Sequence, residues 1–500
     1  MSQHSSSAAE RAPSTGGPSH PEDAQEPAVS LSGRRHALLL VAAIGSLLVG
    51  IMGLGIPTAV ALIVAGAIAM TLCLVWGIAW SRLEADLLKG IQAMLVPILI
   101  LMSVGMMVGV WMLSGTIPAM VTLGLESLTP GLFLVVACLS CSLMSVMAGT
   151  SWGTLSTIGV ALMGVALGLG IPPAYAAGAI VTGTFFGDKL SPLSDTTVMA
   201  SAVCEVHIIS HIRHMLYSTL PAYLIALVVY AWLGNGVAEA GAAMTTDGMS
   251  DQTQAIIDTL AATFSDNLLT LLPPLVVFGC ILAKKPVLPA FMLGIVSAAL
   301  IAVVLQGASL AEIGSAMNAG FVADTGVAMV DKMLSRGGLQ GMMSTVAVLI
   351  AAAVLGAPFK SAGTLDAAIA WLARRHAARR QVLGGSMALH SLAFLLTGSY
   401  YVTFSLLGPL LRPLVASSGS PTKNLSRILE DTGTTLSPLV PWGVTGAFTA
   451  ATLGVATADF FVYAILCYGA IAFSLLYVLT GWTLGHDSEE LPQQQPATLR

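Results

Sequence analysis

Charge is what this sequence has least of. Asp, Glu, Lys and Arg make up 9% of its 500 residues, whereas a soluble domain carries roughly a quarter. So few charges cannot cover a folded chain of this length in water. Hydrophobic residues supply 56% and the mean hydropathy is +0.86, so the bilayer is the solvent that fits. Aromatics are scarce too, at 6%. No basic run is interleaved with them, which excludes nucleic acid as a partner. Cysteine is sparse and scattered: Cys73, Cys138, Cys141, Cys204, Cys280 and Cys467 suggest no disulfide framework. Cys138 and Cys141 form a C-x-x-C inside apolar sequence, which reads as small residues at a helix contact rather than a redox or zinc site. Neither a nucleophile with its base nor a metal triad is legible, so the protein is not read as an enzyme and no cofactor is expected.

What the sequence has in abundance is uncharged length. His36 to Ser81 carries no Asp, Glu, Lys or Arg and is divided by Gly53-Leu-Gly-Ile-Pro57. Gly90–Leu125 and Ser127–Gly187 are uncharged as well, and similar runs recur from Met215 to Gly485. With about 20 apolar residues per crossing, these predict an all-α polytopic membrane protein of roughly 10 to 13 transmembrane helices. Residues 1–35 read as a disordered polar tail rather than a signal peptide, and residues 486–500 as a second polar tail.

Orientation follows Lys and Arg. Arg34, Arg35, Arg82 and Lys89 flank the first two spans on one side, read as cytoplasmic. Residues 239–266 hold Glu239, Asp247, Asp251, Asp258 and Asp266 and no basic residue, as expected of an acidic outer loop. Lys284, Lys285, Arg374, Arg375, Arg379 and Arg380 return to the inside, while parity leaves Lys332 and Arg336 outside unless a re-entrant segment intervenes. Residues 36–238 thus enter the membrane from inside and residues 267–485 from outside, as expected of two inverted-topology repeats. A multi-pass protein of a bacterial cell (inner) membrane follows, with its N-terminus in the cytoplasm. Its partners are the lipid bilayer, a small cation and the proton; a homodimer is compatible with this reading.

Paired motifs support the repeat. Leu190-Ser-Pro-Leu193 recurs as Leu436-Ser-Pro-Leu439, and Gly149-Thr-Ser-Trp-Gly-Thr154 has a loose partner in Gly398-Ser-Tyr-Tyr-Val-Thr403. Gly149, Gly187, Pro192, Gly398 and Pro438 are the expected helix breaks, because proline lacks the amide donor and irregular backbone at membrane depth survives only beside a cavity. Next to the breaks stand carboxylates. Asp188 follows a 61-residue uncharged run, Asp195 comes seven residues later, and Glu430 and Asp431 precede the second Ser-Pro-Leu. A carboxylate at that depth costs several kcal/mol unless paired, solvated or neutralised. Burial favours its proton and a bound cation favours its charge, and that competition is the minimum machinery of cation/proton exchange. The bland alternatives are a local pairing of Asp188 with Lys189, and an interfacial cluster of Glu430 and Asp431 with Arg427 and Lys423. Glu205, His207, His211, Arg213 and His214 read as an interfacial turn rather than a metal site. Trp80, Trp111 and Trp371 read as interface anchors.

Gly149–Thr154, Gly187–Thr197 and His211–Tyr217, with Asp331–Gly338 and Leu429–Trp442, resemble the NhaC-type sodium/proton antiporters. The resemblance covers most of residues 37–482. It implies an ion-transporter-type fold of two inverted repeats with re-entrant hairpins, and sodium export driven by proton entry. Some members of the family exchange organic acids, such as malate for lactate. Two positions depart from the family pattern: no acidic residue stands in Gly398–Tyr401, and Gly443 occupies a position that is commonly Asn. Both remove polar ligands from the second repeat.

The leading reading is therefore a sodium/proton antiporter. Asp188 and Asp195 would be the titrating sodium ligands, with neutral oxygens from Thr150, Ser151, Ser191, Ser194 and Ser437, assisted by Glu430 and Asp431. The alternative is an ion-coupled organic acid exchanger on the same fold, which needs a cationic partner such as Lys189 or Arg213.

Overall fold

Proline opens and glycine closes many of the helices in this chain. The computed structural model describes residues 31–244, 248–265, 267–374 and 378–485, among which there is no strand. The rest of the two tails, Asp247, Asp266 and Arg375 lie outside the described residues. In the first half, α1 (Gly33–Leu48) and α2 (Thr58–Val75) form a hairpin and α3 (Trp80–Leu113) follows. α4 (Pro130–Ala148) carries Pro130 in its first turn, where no amide donor is required. Then come α5 (Ser151–Gly168), α6 (Pro173–Leu190), α7 (Asp195–Val203) and α8 (Ile208–Met244). The second half holds α9 (Leu272–Leu282), α10 (Val287–Gln306), α11 (Met343–Ser361) and α12 (Arg379–Thr397). α13 (Tyr400–Ser417), α14 (Thr422–Thr432), α15 (Val444–Leu453) and α16 (Ile465–Thr480) complete it.

Among the described residues, 8 helices are long and apolar enough to cross a bilayer, or up to 10 if each of two bent pairs is one span. The hydrophobic runs alone suggest a few more. α6 shows why the two differ: it has 18 residues, yet Asp188 and Lys189 lower its hydropathy, and protein rather than lipid surrounds it.

The two halves run in opposite directions. α3 and α11 are antiparallel, with Gly90 on Ala353 and Gly105 on Met342. α8 and α16 are antiparallel as well: Gly469 faces Ala222, and Tyr477 Oη donates to the Tyr217 carbonyl at 3.0 Å. α2 packs on α11 just as α10 packs on α3. Such crossed contacts follow when two like halves interlock head to tail.

Two local expectations change. The stretch read as an acidic loop contains a helix, Gly248–Thr263, whose Ile256 and Leu260 are buried. Trp111 is not an interface anchor: it is fully buried, and its Nε1 donates to the Gly294 carbonyl at 3.3 Å, whereas Trp80 and Trp371 are exposed. Lys332 and Arg336 stay at the end of the molecule where α3 finishes. α10 runs parallel to α3 there, with Gln306 Nε2 donating to the Ser114 carbonyl at 3.2 Å, and α11 starts its return at Gly105.

Candidate ion-binding site

Two breaks in each half form the frame. α4 stops at Gly149 with φ 65°, and Thr150 resumes in extended backbone at φ −152°, ψ 123°. α12 stops at Gly398 with φ 66°, followed by Ser399 at φ −136°, ψ 117°. The same turn is built twice. Each rests on the second break of its own half. A Cβ at Gly149 would sit 2.7 Å from the Leu193 carbonyl carbon, and Ser191 Oγ donates to the Val146 carbonyl at 2.7 Å. Gly398 accepts a hydrogen bond from the Val444 amide at 2.9 Å and lies against Gly443. Gly443 thus fits a close backbone approach that a larger residue would widen. Gly149→Ala combines a left-handed φ with that contact. It is expected to cost on the order of 1–2 kcal/mol from the φ alone, and to lower the melting temperature of the purified protein in detergent.

Between the breaks lies a cavity of about 450 Å³. Thr150, Ser151 and Asp195 reach it from the first half, and Ser399, Tyr401 and Thr445 from the second. Asp195 opens α7, where the helix N-terminus favours negative charge. Its carboxylate is exposed to the cavity, accepts from the Thr196 amide at 2.9 Å and accepts from the Tyr401 hydroxyl. Ala93 and Pro97 of α3 also line the cavity. Pro97 has no amide to give the Ala93 carbonyl four residues back, which removes one of the helix's own hydrogen bonds beside the cavity. The sequence reading missed it, although a proline in the middle of an uncharged run was the signal.

Behind the cavity the charge is fully enclosed. Asp188, 1% exposed, lies within electrostatic reach of Asp195 and near the hydroxyls of Ser151 and Ser194. Its Oδ1 has no hydrogen-bond partner. Lys189 does not pair with Asp188: its Nζ meets Asp431 Oδ1 at 2.5 Å, both side chains 0% exposed. Ser218 Oγ donates to the same oxygen at 3.1 Å. Glu430 is buried on α14 within reach of Lys189 and Asp188, and neither of its carboxylate oxygens has a partner. Glu430 and Asp431 are therefore interior groups, not an interfacial cluster. Histidines hold the same helix: His211 Nδ1 meets Ser426 Oγ at 2.8 Å, His214 Nε2 meets Asn424 Oδ1 at 3.0 Å, and His390 Nδ1 meets Thr432 Oγ1 at 2.7 Å.

The remaining sequence-selected residues are dispersed. Thr150 Oγ1 accepts from the Gly153 amide at 3.3 Å, capping α5 while facing the cavity. Ser194 Oγ meets Thr196 Oγ1 at 3.0 Å, and Ser437 Oγ donates to the Thr434 carbonyl at 2.7 Å. Ser191 and Ser437 thus tie down the breaks instead of facing the cavity. Pro192 and Pro438 stand at the breaks, with Pro438 inside the short 3-10 turn Ser437–Leu439. Gly187 is not at a break. It lies inside α6, where a Cβ would come within 2.4 Å of the Ser142 carbonyl, so its role is close helix packing. Among the described residues no group of three or more His, Cys, Asp or Glu could hold a metal ion. The site offers one open carboxylate and several neutral oxygens.

The model of the Na+/H+ antiporter family matches residues 24–202 and 183–482. The chain belongs to this family. The Na(+)/H(+) antiporter NhaC of Alkalihalophilus pseudofirmus is 35% identical over 433 residues, covering 86% of this chain and 91% of that protein. The malate-2H(+)/Na(+)-lactate antiporter of Bacillus subtilis is 34% identical, covering 86% of this chain and 90% of its own. The arginine/ornithine antiporter ArcD of Halobacterium salinarum is also 34% identical, with 85% and 87% covered. This member of the Na+/H+ antiporter family is thus a multi-pass membrane protein, about equally similar to relatives named for different solutes.

Proposed function

We propose that the protein exchanges sodium for protons across a cell membrane, with Asp195 as the cation ligand at the cavity and Asp188 as the enclosed carboxylate coupled to it. The observation that carries this is the placement of Asp195 between both pairs of helix breaks, open to a cavity lined with hydroxyl oxygens. One carboxylate with neutral oxygens is a donor set for a hard cation. Asp188 lies close enough that adding or removing charge at one is felt at the other. Glu430, with no partner on either oxygen, needs a proton or a cation at that depth. The boundaries 36–238 and 267–485 serve as the two repeats in this reading. The N-terminus is cytoplasmic in this reading, because Arg34, Arg35 and Arg82 flank the first two spans and Lys360 lies beside Asp86 near where α3 begins.

The cavity is large enough for an organic solute, since ligand pockets start at about 300 Å³. Such a solute, if a carboxylate, would need a cation at the cavity. Lys189 is engaged by Asp431, Arg213 lines a different pocket, and no Lys or Arg lines this one. Sodium/proton exchange is therefore the reading favoured. In proteoliposomes with an imposed pH gradient, sodium alone should collapse the gradient, without malate, lactate or an amino acid on either side. Flux that appears only when an organic solute is supplied would transfer the protein to the alternative.

A further inference from the structure

A second cavity, of about 460 Å³, opens at the surface where α8 and α14 begin. His207, Arg213, His214, Tyr217 and Lys423 line it, and none of its lining residues is acidic. Arg213 and His207 are exposed and Lys423 is half-buried. Two helix N-termini meet here, and their partial positive charges add to the side chains. Behind the wall lies Arg427, fully buried. It donates to Thr483 Oγ1 at 3.2 Å, lies over the Tyr477 ring and within electrostatic reach of Asp431, its Nε and Nη2 have no hydrogen-bond partner, and its charge also reaches His214. Glu205, the carboxylate nearest in sequence, is paired with Arg412. An anion is thus the complement of this pocket.

The outer face of α8 says which anion. Arg213, Tyr217, Leu220, Leu224 and Val228 follow one another at steps of three or four residues, which places them along one face of the helix. Tyr217, Leu220, Leu224 and Val228 are all exposed. The stripe passes from cation to aromatic to aliphatic, in the order of headgroup, interface and acyl region of a leaflet. We propose that this pocket binds the phosphate of an anionic phospholipid, with its chains along Leu220 and Leu224. A soluble phosphate would meet the same cations but gain nothing from the leucines. The site is separate from the ion-exchange cavity and does not depend on which ion is exchanged. Through His214 and Asn424 it touches α14, the helix that carries Glu430 and Asp431.

The test is native mass spectrometry of the full chain in detergent with added phosphatidylglycerol or phosphatidylcholine. The wild type should retain one phosphatidylglycerol in preference to phosphatidylcholine. Arg213→Gln with Lys423→Gln should weaken retention by about tenfold or more, Arg213→Lys with Lys423→Arg should preserve most of it, and millimolar inorganic phosphate should leave the lipid in place. Equal retention of the two lipids by the wild type would overturn the proposal even if the variants did not fold. So would unchanged retention in the Gln variant. Displacement by inorganic phosphate would assign the pocket to a free anion instead.

Discussion

Asp195→Asn should leave membrane vesicles unable to collapse an imposed pH gradient on addition of sodium, while the amount of protein in the membrane is unchanged. The side chain faces the cavity and accepts from Tyr401 and the Thr196 amide. An Asn keeps the shape and one oxygen but has neither the charge nor the exchangeable proton. A hydrogen-bonded charged group is worth up to about 3 kcal/mol, a factor of about 100 in binding. Loss of the proton as competitor has its own signature. In the wild type the apparent sodium affinity should weaken as pH falls, because protons and sodium contend for one carboxylate. In Asp195→Asn any residual sodium response should be independent of pH. Asp188→Asn should also abolish exchange, for a different reason: Asp188 is 1% exposed and acts on the cavity through Asp195 and the hydroxyls of Ser151 and Ser194. Sodium-driven exchange that persists in both variants, with its pH dependence intact, would remove the pair from the mechanism.

The second large effect is on stability. Lys189 and Asp431 join α6 of the first half to α14 of the second across 242 residues of chain, with both side chains fully buried. Removing one partner leaves the other enclosed and uncompensated, at a cost of about 3–5 kcal/mol. Lys189→Met should therefore lower the melting temperature in detergent sharply, and Asp431→Leu should do the same. The double variant Lys189→Met/Asp431→Leu should recover most of the loss, because apolar groups of similar size can replace a buried pair at little net cost. The recovery is the informative number. Two single losses that simply add in the double variant would show that the two side chains do not depend on each other.

The two glycine turns that frame the cavity are legible in the sequence. Gly149 and Gly398 stand out because glycine followed by hydroxyl residues interrupts apolar sequence, and both adopt the same left-handed turn. Asp188 stands out because a carboxylate at the end of a 61-residue uncharged run needs a reason to be there. Gly187 reads as a break and is a close contact, because the sequence shows small size but not its cause: a helix break and a close helix contact both call for glycine. Ser191 and Ser437 read as ligands in the sequence because composition reveals a hydroxyl but not its partner; each donates to a backbone carbonyl.

The sequence by itself determined that this protein lives in a membrane, crosses it many times and repeats one motif in two halves. Those features rest on composition, run length and spacing, all carried along the chain. Only the tertiary structure decided that Lys189 belongs to Asp431 rather than to its neighbour Asp188, and that Asp195 alone of the four carboxylates opens onto the cavity. Partners at such separations are chosen by how helices cross, and two side chains adjacent in sequence leave an α-helix about 100° apart, towards different neighbours.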